Sequence, residues 1–165
     1  MNHDIRPATL NDLTCMLGLC KAARGIMKQS GNPNQWTDGY PSADTLRHDI
    51  ELQQAYLLTT PTGTAVGMFV LMDGPDPTYS RIYNGQWLDD TTPYTVIHRI
   101  ASTPESHGVF ADIIAYALSQ TPNLRIDTHR DNRIMQQLIL RHGFIYCGII
   151  HLLNGDERLA YQQLR

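Results

Sequence analysis

The segment from Tyr94 to Phe144 constrains the fold of this chain more than any other part of the sequence. It begins with Y-T-V-I-H-R-I-A-S (94–102), whose β-branched side chains predict a central strand. A turn at 103–108 precedes a helix, and the strand 123–129 then leads into a second helix that ends near Gly143. Strands and helices that alternate in this way are typical of helices packed on a sheet.

The rest of the sequence extends this unit to the element order βααβββαβαββ, which predicts one α/β domain with a mixed sheet over residues 1–165. The other predicted elements are a first strand that ends at Ile5 and Arg6, a helix from 9 to about 28, a loop over 30–42, a helix over 43–53, a hairpin of strands 55–60 and 64–73, an irregular stretch over 74–93, and a final hairpin around Asn154–Gly155. A loop as long as 74–93 usually serves a function or contains a small element of its own.

Capping residues and apolar spacing predict where the helices begin and which faces they bury. Thr9, with Asp12 three residues later, is the acidic variant of a capping box. Asp131 is predicted to cap the helix that follows it, and Gly143 to end that helix in a left-handed conformation. The side chains predicted to be buried are Phe110, Ile113, Ile114, Ala117 and Leu118 in the helix after residue 108, and Ile134, Met135, Leu138 and Ile139 in the helix after residue 131.

Composition and charge argue against several classes of protein. The formal net charge is -3 and the lysines and arginines form no run, so neither nucleic acid nor an anionic membrane is favoured as the main partner. No apolar run approaches the ~20 residues that span a bilayer, and the amino terminus lacks the apolar core of a signal peptide. The cysteines form no C-x-x-C pair, which favours reduced thiols in the cytoplasm, and no histidine spacing indicates a zinc helix, so no metal is expected.

The turn at residues 103–108 is a candidate anion site. A helix amino terminus presents unpaired N–H groups and a partial positive charge, which suits a pyrophosphate. Gly108 would let the backbone approach such a group closely. The alternative is an ordinary turn between a strand and a helix that happens to contain a glycine.

His98 is the candidate catalytic residue in the strand 94–102. Alternation along a strand places Val96, His98, Ile100 and Ser102 on one face, and Ile97, Arg99 and Ala101 on the other. A neutral imidazole can take a proton from an amine, directly or through a water. The alternative for His98 is a core histidine bonded to a neighbouring strand or loop. Arg99 is expected to be a structural partner of Asp127 or of another acid.

The run T-H-x-D-N-x-x-M…G-F, from Thr128 to Phe144, resembles a signature of the GNAT superfamily of acetyl-CoA-dependent N-acyltransferases. The pattern W-L…Y-x-x-I-H-R-I-A from Trp87 to Ala101 is similar to bacterial members of that family. The resemblance covers nearly the whole chain. It implies an α/β (α+β) GNAT-like domain, with a mixed, mostly antiparallel sheet of about six to seven strands and about four helices.

The resemblance also implies acetyl-CoA as the cofactor. The strand with His98 would splay from its neighbour, and its backbone would hold the pantetheine arm and polarise the thioester carbonyl. The residues that would do this are Ile100, Ala101 and Ser102. The residues that would bind the diphosphate are His107, Gly108, Val109, Phe110 and Ala111, and those that would line the cleft from the last helix are Asn132 and Met135. His98 lies on the face where several family members carry a general base.

Three positions depart from the family pattern. Glu105 replaces a glutamine or arginine and Phe110 replaces a small residue in the loop similar to Q/R-x-x-G-x-G/A, although backbone donors survive both changes. Ile139 stands where many members carry a tyrosine that protonates the departing thiolate. The proton would then come from Tyr161, from Cys147 or from water, or would not be needed.

Aromatic residues in polar loops are the predicted walls of the acceptor pocket. They are Trp36 and Tyr40 in the loop 30–42, and Trp87 shortly before the central strand. His129, at the end of the strand 123–129, is a further candidate for this pocket. The alternative for Trp36 and Trp87 is that they plug the ends of the sheet.

The sequence and the resemblance together predict a cytoplasmic N-acyltransferase. It would move an acetyl group from acetyl-CoA to a primary amine of a small molecule or peptide, by direct attack on the thioester. A homodimer is one assembly that the resemblance implies. Two alternatives stay open: an acyl-CoA-binding sensor without turnover, suggested by Glu105, Phe110 and Ile139, and acyl transfer to a hydroxyl or with a longer acyl chain.

Overall fold

The computed structural model describes residues 1–165, and the order of its elements is the one predicted from the sequence. The strands are β1 (Asp4–Pro7), β2 (Ala55–Thr59), β3 (Ala65–Asp73), β4 (Thr95–Ser102), β5 (Asn123–Thr128), β6 (Ile145–His151) and β7 (Glu157–Leu164). The helices are α1 (Leu13–Gln29), α2 (Ala43–Glu51), α3 (Val109–Gln120) and α4 (Arg133–Arg141). A 3₁₀ turn at Pro77–Tyr79 is the small element expected inside the irregular stretch 74–93.

All seven strands form one sheet, in the order β1-β2-β3-β4-β5-β7-β6. Every neighbouring pair is antiparallel except β4 and β5, which run parallel. The mixed, mostly antiparallel sheet and the four helices implied by the family resemblance are therefore confirmed. The hairpins β2–β3 and β6–β7 also lie where turn residues predicted them.

The two faces of the sheet bury separate apolar cores. Helices α3 and α4 cover one face around Ile113 and Ile139, which are fully buried. Helices α1 and α2 cover the other face around Met16 and Leu46. A third and smaller cluster, which includes Tyr79, joins the stretch 74–93 to β6 and β7. None of the four helices combines the length and apolar character that crossing a membrane requires.

The first helical turn and the end of α4 follow the predicted signals. Thr9 and Asp12 form the expected capping box around a 3₁₀ turn at Leu10–Asp12, and the Thr9 N–H donates to Asp12 Oδ2 at 2.8 Å. Gly143 has φ +93 just after α4, the left-handed conformation that often ends a helix. Short-range sequence signals therefore decide these boundaries.

Helix α4 differs from the prediction at its start and on one face. Its N-cap is Asn132 and not Asp131, because Asn132 Oδ1 accepts the N–H of Met135 at 3.0 Å. Ile134 is 54% exposed, whereas Ile139 is fully buried. The stripe that faces the core therefore excludes Ile134, and the helix presents that apolar side chain to the outside.

Strand β4 contains a bulge where the sequence predicted regular strand. From His98 to Ala101 the strand advances three residues while its partner β3 advances two. Arg99 has φ +52 at this point. The predicted alternation is therefore wrong beyond His98. Ala101 lies on the same face of the sheet as His98. Ile100 and Ser102 lie on the opposite face, where Ile100 packs against the core under α3 and α4.

Strands β4 and β5 separate just beyond Ile97. Their parallel pairing joins Ile97 to Ile126 as its last pair and does not continue. His98 on β4 and Asp127 on β5 are thus the first residues past the paired section. The separation that the resemblance implied for this strand is present, and it opens a cleft between the two strands.

Candidate active site

A cavity of about 650 Å³ occupies the opening between β4 and β5. Its walls come from the loop 30–42, the stretch 72–78, both separated strands, the start of α4, and the turn between β6 and β7. The predicted site residues that line it are Trp36, Tyr40, His98, Ile100, Asn132 and Met135. Segments far apart in the sequence therefore converge on one cleft.

The imidazole of His98 is paired with a carboxylate that sequence reasoning missed. His98 Nε2 lies 3.0 Å from Oδ2 of Asp76, and both side chains are mostly buried. Burial opposes ionisation of Asp76, but hydrogen bonds from His98 and Thr78 outweigh it and lower the pKa of Asp76 to about 2. An ionised Asp76 favours the tautomer with hydrogen on Nε2, which leaves Nδ1 free to accept a proton.

Local structure holds Asp76 in this position. Asp76 caps the 3₁₀ turn, and its Oδ1 accepts the Thr78 N–H at 2.9 Å and the Thr78 hydroxyl at 2.7 Å. The Asp76 N–H in turn donates to the hydroxyl oxygen of Tyr94 at 2.8 Å. The Asp-Pro-Thr sequence at 76–78 is a readable turn signal, but nothing in it indicates that the turn folds back onto His98.

Asp127 faces the same cleft from β5. Its Oδ2 accepts a hydrogen bond from the hydroxyl of Tyr79 at 2.5 Å. Burial, with the adjacent charge of Asp127, raises the pKa of Tyr79 well above its ordinary value. Tyr79 therefore stays the proton donor in this bond, and the other oxygen of Asp127 is left for the cavity that Asp127 lines.

Arg99 pairs with Asp49 of α2, which confirms the expected acidic partner; of the two alternatives, that partner is another acid and not Asp127. The ion pair is bidentate, with Nε–Oδ2 and Nη2–Oδ1 distances of 2.7 Å each. Arg99 Nη1 also donates to the hydroxyl of Tyr40 at 2.8 Å. These bonds fix the β4 bulge beside His98 and tie the loop 30–42 to the cleft.

Gln35 fastens the loop 30–42 across the cleft. Its Oε1 accepts from the side-chain amide of Asn132 at 2.9 Å, and its backbone oxygen accepts from Arg158 Nη2 at 3.0 Å. Beside it, Trp36 and Tyr40 meet edge to face with ring centroids 6.2 Å apart on the cavity wall. The contacts that Gln35 makes with Arg158 and Asn132 are long-range, and no local sequence signal indicates them.

Two predicted acceptor residues lie away from the cavity. Trp87 is only 7% exposed and packs over the guanidinium of Arg125 at 3.9 Å, so it is a buried residue and not an exposed pocket wall. His129 Nδ1 accepts the N–H of Asp131 at 3.0 Å, beside the start of α4. Burial, followed by the charge of Arg158, lowers the pKa of His129. Its imidazole serves this turn and does not line the cleft.

The start of α3 has the features expected of an anion site. Gly108 is the N-cap with φ +78, and the three N–H groups after it have no partner within the helix. The side chain of Phe110 packs into the core, and Glu105 is exposed without a side-chain hydrogen bond. Phe110 therefore leaves the space in front of these donors open, whereas Glu105 is a free carboxylate in the turn that precedes them.

An acid in the first turn of α3 is hydrogen-bonded to the amino-terminal segment. Asp112 Oδ2 accepts the backbone N–H groups of Asn2 and His3 at 2.9 and 3.0 Å, and lies 2.8 Å from the His3 ring. The amino-terminal segment thus engages the carboxylate. The donors at the start of α3 fit a diphosphate, because they are free N–H groups at a helix amino terminus and the acid of that first turn, Asp112, is already hydrogen-bonded.

The candidate proton donors lie outside the cavity. Tyr161 packs in the core under α3 and α4, and burial raises its pKa to about 12. Burial also raises the pKa of the Cys147 thiol, which donates to the backbone oxygen of Ile145 at 3.4 Å. Ile139 is fully buried in the same core as Tyr161. None of these side chains lines the cleft.

Solved structures of other proteins resemble this chain over nearly its whole length. A GNAT-family acetyltransferase from Streptococcus agalactiae is 31% identical with a TM-score of 0.88, and the match covers 99% of this chain and 95% of that one. A GNAT-family acetyltransferase from Listeria monocytogenes is 22% identical with a TM-score of 0.73, and the coverage is again 99% and 95%. The NatC complex bound to Gag peptide and CoA is 13% identical with a TM-score of 0.61, over 100% of this chain and 99% of that one.

Comparison with protein-family models and with curated proteins gives no match. The structural match to the streptococcal protein nevertheless spans both chains almost completely, at 31% identity. The sheet order and the separation of β4 from β5 agree with the family that the sequence resembles. The chain therefore belongs to the GNAT family of acetyltransferases.

Proposed function

We propose that this protein transfers an acetyl group from acetyl-CoA to a primary amine, which attacks the thioester directly. The pairing of His98 with Asp76 at the opening of β4 and β5 is the observation that carries the proposal. Family membership supports acyl transfer in general. CoA bound to the NatC relative supports the choice of cofactor.

Acetyl-CoA would lie along the start of α3 and the separated end of β4. The oxygens of its diphosphate would accept hydrogen bonds from the free backbone N–H groups that follow Gly108. The pantetheine arm would follow residues 100–102 toward the cavity that Asn132 and Met135 line. When bound, acetyl-CoA supplies the thioester whose acyl group is transferred.

His98 would act as the general base. An amine is mostly protonated at neutral pH and must lose a proton before it can attack a carbonyl carbon. Nδ1 of His98 would take that proton, and the ionised Asp76 would stabilise the imidazolium that forms. The amine loses two protons overall: one passes through His98 to solvent and the other ends on the departing sulfur.

Calorimetry and a thiol assay test this function in two steps. We expect acetyl-CoA to bind, and a panel of primary amines to include at least one that releases free CoA thiol. Absence of binding at millimolar acetyl-CoA would overturn the cofactor assignment. Binding without turnover of any amine would overturn the transferase proposal and favour a sensor.

A further inference from the structure

Arg158 of β7 lines the cavity without a carboxylate partner. The residue is only 6% exposed. Its Nη1 and Nη2 donate to the backbone oxygens of Glu157 and Gln35 at 2.9 and 3.0 Å. No carboxylate oxygen lies within ion-pair distance of its nitrogens. A guanidinium so deeply buried usually has a counterion, because an unpaired buried charge is costly.

The other arginine that lines the cavity, Arg99, has a carboxylate counterion and serves as a comparison. Arg99 meets Asp49 in a bidentate pair with two contacts of 2.7 Å. Burial lowers the pKa of Arg158, and the more distant charges of Asp127 and Asp156 only partly offset it. The donors of Arg99 are therefore used within the fold. Arg158 lines the cavity with only two of its five N–H donors in hydrogen bonds.

Asp127 is the complementary group on the neighbouring strand. Its carboxylate accepts a hydrogen bond from the Tyr79 hydroxyl. No cationic side chain lies within ion-pair distance of it. Asp127 pairs with Ala160 in the sheet, so Arg158 lies on the same face, one strand over and roughly 7 Å further along. The two opposite charges face one cavity at a separation too large for a direct ion pair.

The sheet also brings Asp127 opposite the candidate base. Val96 and Arg125 are partners across β4 and β5, so His98 and Asp127 are each two residues further along the same face. A cationic amine at Asp127 would therefore lie beside the imidazole that is to take its proton. Across the cleft, the candidate base His98 comes first, the amine site at Asp127 second, and the guanidinium of Arg158 third.

The charge of the cavity limits the anion that Arg158 would accept. Exposed acids at its rim are Asp38, Asp73 and Asp156, in addition to Asp76 and Asp127 further inside. These carboxylates disfavour a doubly charged phosphate more than a singly charged group. A planar carboxylate also matches the fork geometry of a guanidinium.

We propose that the acceptor is a zwitterion of the amino-acid class, with its ammonium group at Asp127 and its carboxylate on Arg158. This inference rests on the proposed acetyl transfer at the same cavity. The ammonium group gives one proton to His98, and its nitrogen then attacks the thioester carbon. The second proton leaves with the departing CoA sulfur as the amide forms, while the carboxylate stays on the guanidinium throughout. The product is an N-acetylated amino acid.

Matched acceptor pairs test this inference. Each of the nineteen common amino acids that has a primary amine is compared with its carboxamide, by the initial rate of CoA thiol release. The carboxamide has the same size and lacks only the negative charge. For the amino acid that reacts best, we expect kcat/KM to exceed that of its amide by roughly 100-fold, as for a charge-assisted buried pair. The amide must show measurable turnover at high concentration for the ratio to be obtained.

Variants of Arg158 separate recognition from folding. In Arg158→Met the ratio of kcat/KM between acid and amide should fall to near one, and in Arg158→Lys part of the ratio should return. The matched control is Arg130→Met, because Arg130 is exposed and does not line the cavity. A fall in both rates with an unchanged ratio would show that Arg158 only supports the fold, which would overturn the inference.

The outcome also distinguishes the inference from the function on which it rests. If amides and simple amines react as well as amino acids, acetyl transfer stands and the zwitterion inference is wrong. If no amine reacts, the transferase proposal fails, and ligand-observed NMR of the same acids and amides with CoA present decides the inference. Selective binding of an acid that is lost in Arg158→Met supports it, and absence of such binding overturns it.

Discussion

The side chains of Asp76 and His98 meet at 3.0 Å, although 22 positions separate the two residues in the sequence. The contact joins the irregular stretch after β3 to the bulged strand β4. It makes the acid–base properties of the cleft depend on a segment that has almost no regular structure. Its consequences for stability and for catalysis are both measurable.

Replacement of Asp76 by asparagine should destabilise the protein at pH 7 and have less effect in acid. Burial opposes ionisation of Asp76, but hydrogen bonds from His98 and Thr78 lower its pKa to about 2. A carboxyl group with a lowered pKa stabilises the folded state above its ordinary pKa, and this contribution is lost as the pH falls toward 2. We expect a loss of about 2 kcal/mol at pH 7 from urea unfolding.

The control for this experiment is Asp44→Asn, since the Asp44 side chain is 94% exposed. It should change the free energy of unfolding by less than about 0.5 kcal/mol. The difference between wild type and Asp76→Asn should shrink between about pH 4 and pH 2. An equal difference at every pH would contradict the role given to the Asp76 carboxylate.

Gly108→Ala should weaken acetyl-CoA binding as well as stability. Gly108 has φ +78, which costs an alanine about 1–2 kcal/mol, and relief of that strain would turn the N–H groups of α3 away. The matched control is Gly31→Ala, because Gly31 has φ +80 and open space around its Cβ position. Calorimetry should show roughly tenfold weaker binding for Gly108→Ala alone. Equal affinities in both variants would count against the diphosphate site.

Asp49→Asn should destabilise the protein strongly through Arg99. The variant leaves a mostly buried guanidinium with a neutral partner in place of a bidentate carboxylate, and breaking such pairs costs about 3–5 kcal/mol. The exposed pair of Arg47 and Asp44 is the comparison, where Arg47→Ala should cost at most about 1 kcal/mol. Denaturant unfolding measures both, and similar small losses in the two variants would contradict the account of the β4 bulge.

Arg125→Lys should show that stacking, and not charge alone, stabilises the stretch 74–93. The fully buried guanidinium of Arg125 lies 3.9 Å from the ring centroid of Trp87 and 3.8 Å from that of Tyr94. An ammonium cannot stack between two rings, so we expect a loss of about 2 kcal/mol or more. A double-mutant cycle with Trp87→Leu should give a coupling of about 1 kcal/mol.

Arg130→Lys serves as the control for the Arg125 experiment, because Arg130 is exposed. Its free energy of unfolding should stay within about 0.5 kcal/mol of the wild-type value. If the losses from Arg125→Lys and Trp87→Leu simply add, the two side chains do not stabilise each other.

The order of the helices and strands could be predicted from the sequence, because the signals that start and end each element are local. Alternating apolar residues, turn residues and capping residues such as Thr9 each act within a few positions. The cap of α4 shows the limit of such signals. Asp131 and Asn132 are adjacent residues with similar capping preference, and only the path of the chain decides between them.

The candidate site was only partly predictable for a related reason. His98 could be found from its strand, but its partner Asp76 and the cavity residues Gln35 and Arg158 meet through long-range contacts. The bulge at Arg99 is a single extra residue, and it moves the later side chains of β4 to the opposite faces from those that regular alternation predicts. The bonds from Arg99 to Asp49 and Tyr40 fix the bulge, and they form only in the folded protein.

The most direct measurement of the central claim compares His98→Gln with wild type in acetyl-CoA turnover on a reactive amine. The control is His48→Gln, an exposed histidine of α2 outside the cavity. We predict that kcat/KM falls by at least about 100-fold in His98→Gln, with acetyl-CoA affinity unchanged, because general-base catalysis is worth that much. Turnover that stays at the wild-type level from pH 6 to pH 9 would contradict the account.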